Sequence, residues 1–170
     1  MLDTVSLVFV VVMIIAFAIP FVIHHKKNTR RQAQAKARMS AYARMHNLSF
    51  HFMEIWRNQY FLGMDEEKCK LVYIEDIAKG DPFIIDLHHV NGVHVDEKSR
   101  RIKSQGDSRG HKIIDQIDLI LESEIPGQRQ KIEIYDGEKF SCLINELVLA
   151  NTWEQRIRQT IIQKSLKVQE

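Results

Sequence analysis

Tyr60-Phe-Leu-Gly-Met-Asp-Glu-Glu-Lys-Cys-Lys-Leu-Val-Tyr73 reads as a β-hairpin, and that reading decides the fold. Two runs rich in aromatic and branched residues flank Asp65-Glu-Glu-Lys68, a polar turn, and the return run continues to Glu75. Working toward the C-terminus, Ala78-Lys-Gly-Asp-Pro82 breaks the chain through its Gly and Pro. Residues 83–87 form a third strand. Asn91-Gly92 marks a turn or bulge, after which Val93 and Val95 alternate with His94 and Asp96 as a fourth strand would. Residues 97–110 are polar, hold two glycines and read as a loop, bounded by an extension of the fourth strand through Ile102. Ile117, Leu119 and Leu121 alternate with polar positions within 112–122. Residues 125–128 turn the chain, and 131–135 form a last strand ended by Asp136-Gly137.

The final segment, about 141–166, is the clearest helix of the distal part. Ile144, Leu147, Val148, Ala150, Trp153, Ile157, Ile161 and Ile162 recur mostly at steps of three and four, opposite Glu146, Asn151, Glu154, Gln155, Arg158, Gln159 and Lys164. Such an amphipathic helix must cover an apolar surface, and the strands supply one.

Working toward the N-terminus, residues 48–57 fit two patterns. Phe50, Phe52 and Trp56 suit a strand, while Leu48, Phe52, Ile55 and Trp56 fall at helical spacing, and the helical reading ends near Asn58. Thr29 to Met45 holds strong helix formers and no Gly or Pro, so it predicts a helix, continuous with the segment before it. Alanines 33, 35, 37, 41 and 43 give that helix only a thin apolar surface. It reads as a solvated spacer or as a membrane-surface or helix-pairing element.

Before it lies Val5-Ser-Leu-Val-Phe-Val-Val-Val-Met-Ile-Ile-Ala-Phe-Ala-Ile-Pro-Phe-Val-Ile23, without an ionisable group. About 19 residues at 1.5 Å each span ~28 Å, which predicts a transmembrane helix, with Pro20 bending its end. A cleaved signal peptide fits less well, because basic residues follow the apolar core and do not precede it. Seven of the 24 basic residues lie between His24 and Met53, where there is no acid. Asp3 is the one acid before them, so 17 basic and 21 acidic residues remain from Glu54 onward. Cations beside the C-terminal end of the span predict, by the positive-inside rule, an outer N-terminus and a cytoplasmic C-terminal domain at the inner membrane. The net-acidic distal part argues against nucleic-acid binding.

Short antiparallel strands followed by one helix resemble the bacterial pleckstrin-homology-like domains. The resemblance rests on the hairpin quoted above, on Ile85-Asp-Leu-His-His-Val, on Ile134-Tyr-Asp and on Ala150-Asn-Thr-Trp-Glu-Gln-Arg-Ile, with Trp153 inside the capping helix. It covers about 59–165. Together with the segments read above, it gives the expectation of an α+β chain: a transmembrane anchor (1–23), a basic helical juxtamembrane segment (24–58), then a small antiparallel β-barrel or sheet with its C-terminal helix (59–168). The acidic turn 65–68 departs from the basic first hairpin of phosphoinositide-binding members, so the resemblance implies a scaffold and not that ligand.

No motif carries chemistry. His88, His89 and His94, with Asp86 and Asp96, lack the spacing of a closed metal site. Cys69 and Cys142 are far apart and read as reduced thiols. There is no Gly-x-Ser-x-Gly elbow and no phosphate loop. Trp56 and Trp153 read as core. The expectation is a non-enzymatic, membrane-anchored interaction module without cofactor or metal, whose partners are the bilayer and another protein. A second reading is sensing of anionic lipid, with Lys26, Lys27, Arg30, Arg31, Lys36 and Arg38 meeting the membrane surface. A membrane-anchored metal enzyme built on the three histidines ranks last.

Overall fold

The computed structural model describes residues 4–102, 111–125 and 127–167. The expected loop tip at 103–110 and Pro126 of the expected turn lie outside the described residues. A first helix, α1 (Thr4–Met45), precedes seven strands: β1 (Phe52–Trp56), β2 (Tyr60–Asp65), β3 (Lys70–Ile74), β4 (Phe83–Asp86), β5 (Val90–Ile102), β6 (His111–Ser123) and β7 (Arg129–Asp136). A 3-10 turn at Leu87–His89 joins β4 to β5, and α2 (Glu146–Lys167) follows the strands. The strands make two antiparallel sheets in sequential order, β1-β2-β3-β4 and β5-β6-β7.

Alternation explains the layers. Leu62 pairs with Tyr73 and Met64 with Leu71, and all four point inward. There they meet Ile117, Leu119, Ile132 and Ile134 of the second sheet and Ala150, Trp153 and Ile157 of α2. The neighbouring pair Phe61 and Ile74 points to the other face of the first sheet. That face is also buried, because Ala35 and Met39 of α1 lie against Phe61, Val72, Ile74 and Ile77. Every residue of β2 is consequently buried, and its continuous apolar run reflects cover on both sides. Gly63 allows this cover, since an added Cβ would stand 2.7 Å from Phe61 Cζ and 3.2 Å from Phe50 Cδ1.

Residues 52–56 are a strand, not the end of a helix. Ile55 pairs with Phe61 and Trp56 with Tyr60, and the indole Nε1 donates to the Ile134 carbonyl of the second sheet at 2.8 Å. The helix stops earlier, at Met45, and Asn47 just beyond it, with a φ of 55°, lets the Leu48 amide reach back to the Ala43 carbonyl at 2.7 Å.

The N-terminal expectation also needs correcting. Among the described residues no helix is long and apolar enough to cross a membrane. The transmembrane anchor over 5–23, the single-pass inner-membrane topology and the cytoplasmic placement drawn from it are therefore withdrawn. That expectation took 5–23 as a self-contained apolar unit. Its described side chains, such as Phe9, Ile14 and Phe17, are exposed and belong to one 42-residue helix that runs on through Lys26, Lys27 and Arg30 and docks by its far end. The side chains at 4–8, 10, 11, 15, 21, 24, 28, 31, 165 and 167 are outside the description.

Candidate functional site

A cleft of about 580 Å³ opens between the end of β1 and the start of α2, lined by Glu54, Trp56, Arg57, Asn58, Phe140, Ile144, Asn145, Glu146 and Leu149. It adjoins a second hollow of about 340 Å³ along the same helix, where Glu54, Asn145 and Leu149 recur beside Val148, Thr152 and Arg156. Together they form a groove with β1, the edge strand of its sheet, on one side and three turns of α2 on the other.

The walls follow from local sequence. The turn 57–59 holds Arg57 and Asn58 in the left-handed region, at φ 54° and 52°. Asn tolerates this conformation, but a long side chain rarely adopts it. Arg57 is held there by several contacts. Its guanidinium pairs with Glu146, donates to the Cys142 carbonyl at 2.5 Å and lies 4.8 Å from the Phe140 ring centroid. The other Glu146 oxygen accepts the Ile144 and Asn145 amides at 2.6 and 3.0 Å, just ahead of α2. One carboxylate therefore ties the hairpin turn to the helix start, where its charge also favours the helix dipole. Next to it, Trp56 stacks on Tyr60 at 5.1 Å between centroids, and Tyr60 meets Phe140 edge-on at 6.0 Å.

Behind the aromatic wall lies a polar clasp. Tyr60 donates to Glu133 at 2.6 Å, and Lys139 Nζ reaches Glu133 and Glu75 at 2.7 and 2.8 Å. Burial, then the Glu133 carboxylate, push the Tyr60 hydroxyl above its ordinary range. Burial lowers Lys139, but its two carboxylate partners outweigh that and hold it above the usual lysine range. The clasp ties Tyr60 of β2 and Glu133 of β7 to Glu75 and Lys139, an arrangement that suits structure more than proton transfer.

Glu54 is the unusual group. Phe52 and Trp56 on the same strand face pack into the core, and alternation places Glu54 between them on that face. It is exposed to the groove and makes no ion pair or hydrogen bond among the described residues.

The basic residues singled out from sequence lie elsewhere. Lys26, Lys27, Arg30 and Lys36 are exposed on α1, and the Arg31 side chain is outside the description. Arg38 donates to the Ile77 carbonyl at 2.5 Å, clamping α1 to the loop after β3. Among the described residues no three His, Cys, Asp or Glu side chains gather as metal ligands. His88 instead stands 2.9 Å from Asp86, while His89 and His94 face solvent. Burial disfavours the Asp86 carboxylate, yet hydrogen bonds from Lys70 and from the His88 amide and ring prevail and lower it to about 2. The cleft residues Trp56, Arg57, Phe140, Glu146 and Leu149 were not legible as a site, because they come together only once β1 is a strand. No family model, curated protein or solved structure matches the chain.

Proposed function

We propose that the chain is a non-catalytic interaction module whose groove between β1 and α2 receives a partner protein. The observation that carries this reading is an open, largely apolar cleft beside an edge strand, with Ile144 67% exposed just ahead of α2 and Val148 66% exposed on it. Exposed branched residues at the rim of a preformed hollow are what a recognition surface presents. The charged pair in the cleft, Arg57 with Glu146, is already matched, which favours recognition over bond-making. The order of four strands, three strands and a terminal helix supports the pleckstrin-homology-like resemblance and, with it, a scaffold role. With β1 as a strand, the first hairpin turns at 57–59 and not at 65–68, and the one cation there, Arg57, is paired with Glu146, so the basic first hairpin of the lipid-binding members has no counterpart.

A photo-crosslinking residue at Val148 of the full chain tests this in cells that make it. The expected result is one discrete cross-linked protein that is lost when the probe is moved to exposed Lys79. Equal products from both positions, or none from Val148, contradict the reading.

One observation favours a second role. Lys26, Lys27 and Arg30 stand exposed on α1 in a stretch free of acids, which suits contact with an anionic lipid surface at about 1 kcal/mol per cation. Replacing all three with Glu then weakens binding of the full chain to phosphatidylserine vesicles and removes its salt dependence. Binding that is unchanged by those substitutions and by salt eliminates this role.

A further inference from the structure

We infer that the groove takes an extended peptide segment that adds to the edge of β1 and places a lysine or arginine against Glu54, with apolar side chains on either side of it. This deepens the interaction reading above and rests on it. Two independent features lead to it. First, among the described residues β1 is paired only with β2, so alternate backbone N–H and C=O groups on its other edge are open to a strand. An extended peptide is the ligand whose backbone answers them. Second, the charge is wrong for a core face and right for a site. Phe52, Glu54 and Trp56 share one face, the outer two pack into the inner core, and the middle carboxylate lines both hollows with no partner among the described residues. The other charges around it are engaged. Arg57 pairs with Glu146, and Arg156 lies over the Phe52 and Trp153 rings at 4.3 and 5.4 Å. A partner therefore meets, between two apolar positions, a carboxylate with no ion pair or hydrogen bond among the described residues, while the Arg156 guanidinium is drawn over the Phe52 ring.

The register follows from strand geometry. A residue directly across an antiparallel pair shares its partner's face, and neighbours two along share it too. The partner face consequently reads apolar, cationic, apolar at i, i+2 and i+4. The first and last sit across from Phe52 and Trp56 and lean toward Leu149 and Val148. Intervening residues point to the other face, beside Met53 and Ile55.

The probe is acetyl-Thr-Val-Thr-Lys-Thr-Val-Thr-amide, titrated into the isotopically labelled full chain. Amide shifts are expected at 52–56 and 145–156. Replacing the peptide's Lys with Glu should weaken binding about tenfold, which corresponds to about 1.4 kcal/mol. Glu54→Lys should reverse that preference, so the Glu peptide becomes the tighter ligand. N-methylation of alternate peptide amides should abolish binding to both proteins. The inference is overturned if no shifts appear at millimolar peptide, if they fall on Phe83–Asp86 or β5, or if Glu54→Lys leaves the preference unchanged. Its failure is separable from that of the broader reading. A specific cross-link from Val148 with no peptide response leaves an interaction module whose ligand is not this strand. Loss of both removes the module as well.

Discussion

Arg57 shows how much one residue can carry. Its backbone sits where a side chain is costly, at φ 54°, and its guanidinium offsets that cost through Glu146, the Cys142 carbonyl and the Phe140 ring. Removing it leaves Glu146, whose side chain is only 5% exposed, without its cation. Arg57→Ala should destabilise the protein by about 3 kcal/mol, read as a lower urea midpoint, and Arg57→Lys should recover only part, because one ammonium cannot bridge both oxygens and the ring. Asp86 provides a pH signature. Its carboxyl is held at about 2 in the folded protein, below its ordinary value near 3.9. The stability it contributes is therefore full above about pH 5 and is lost as pH falls toward 2. Urea midpoints measured from pH 6 to pH 2 should fall less steeply in Asp86→Asn than in the parent.

Among the elements, the strands β2 to β7 were legible because their apolar residues alternate and their breaks contain Gly, Pro, Asn or Asp. β1 was not. Leu48, Phe52, Ile55 and Trp56 satisfy a helical period, and the turn that follows uses Arg57 and Asn58 where a hairpin ordinarily signals itself with glycine. The register with β2, which sequence spacing does not contain, decides the matter. The docking of α1 was half legible. Its helix formers were plain, but its alanines, Ala35 among them, gave it only a thin apolar surface. They matter because a sheet face with Gly63 at its centre lets a thin helix surface approach closely. Met39, fully buried, is the anchor. Met39→Ala should cost about 2–4 kcal/mol and should expose 24–47 to limited proteolysis before the strands are cut. Equal protection of both regions would mean that α1 holds by other contacts.

At the scale of the whole molecule, two apolar clusters share one sheet. The inner cluster lies between the two sheets and α2, and the outer one between the first sheet and α1. This arrangement positions the site. β1 is secured on its outer face by Ile55 and at its end by Trp56, while its far edge stays open beside α2. The candidate site was illegible in the sequence for the same reason that β1 was. Glu54, Trp56, Phe140 and Leu149 span nearly a hundred residues and acquire a common cleft only through the closure of β1 onto the start of α2. The basic stretch, by contrast, stood out at once, yet Arg38 turned out to be a structural clamp. Charge runs are easily seen in a sequence, whereas a single carboxylate becomes conspicuous only when the face it occupies is known.

Hydrogen exchange at the β1 edge tests the central claim most directly. In the full chain, saturating acetyl-Thr-Val-Thr-Lys-Thr-Val-Thr-amide should slow exchange at alternate amides of 52–56 at least tenfold while leaving 83–86, the other edge of the same sheet, unchanged. Unaltered exchange across 52–56, or slowing confined to 83–86, would contradict the account.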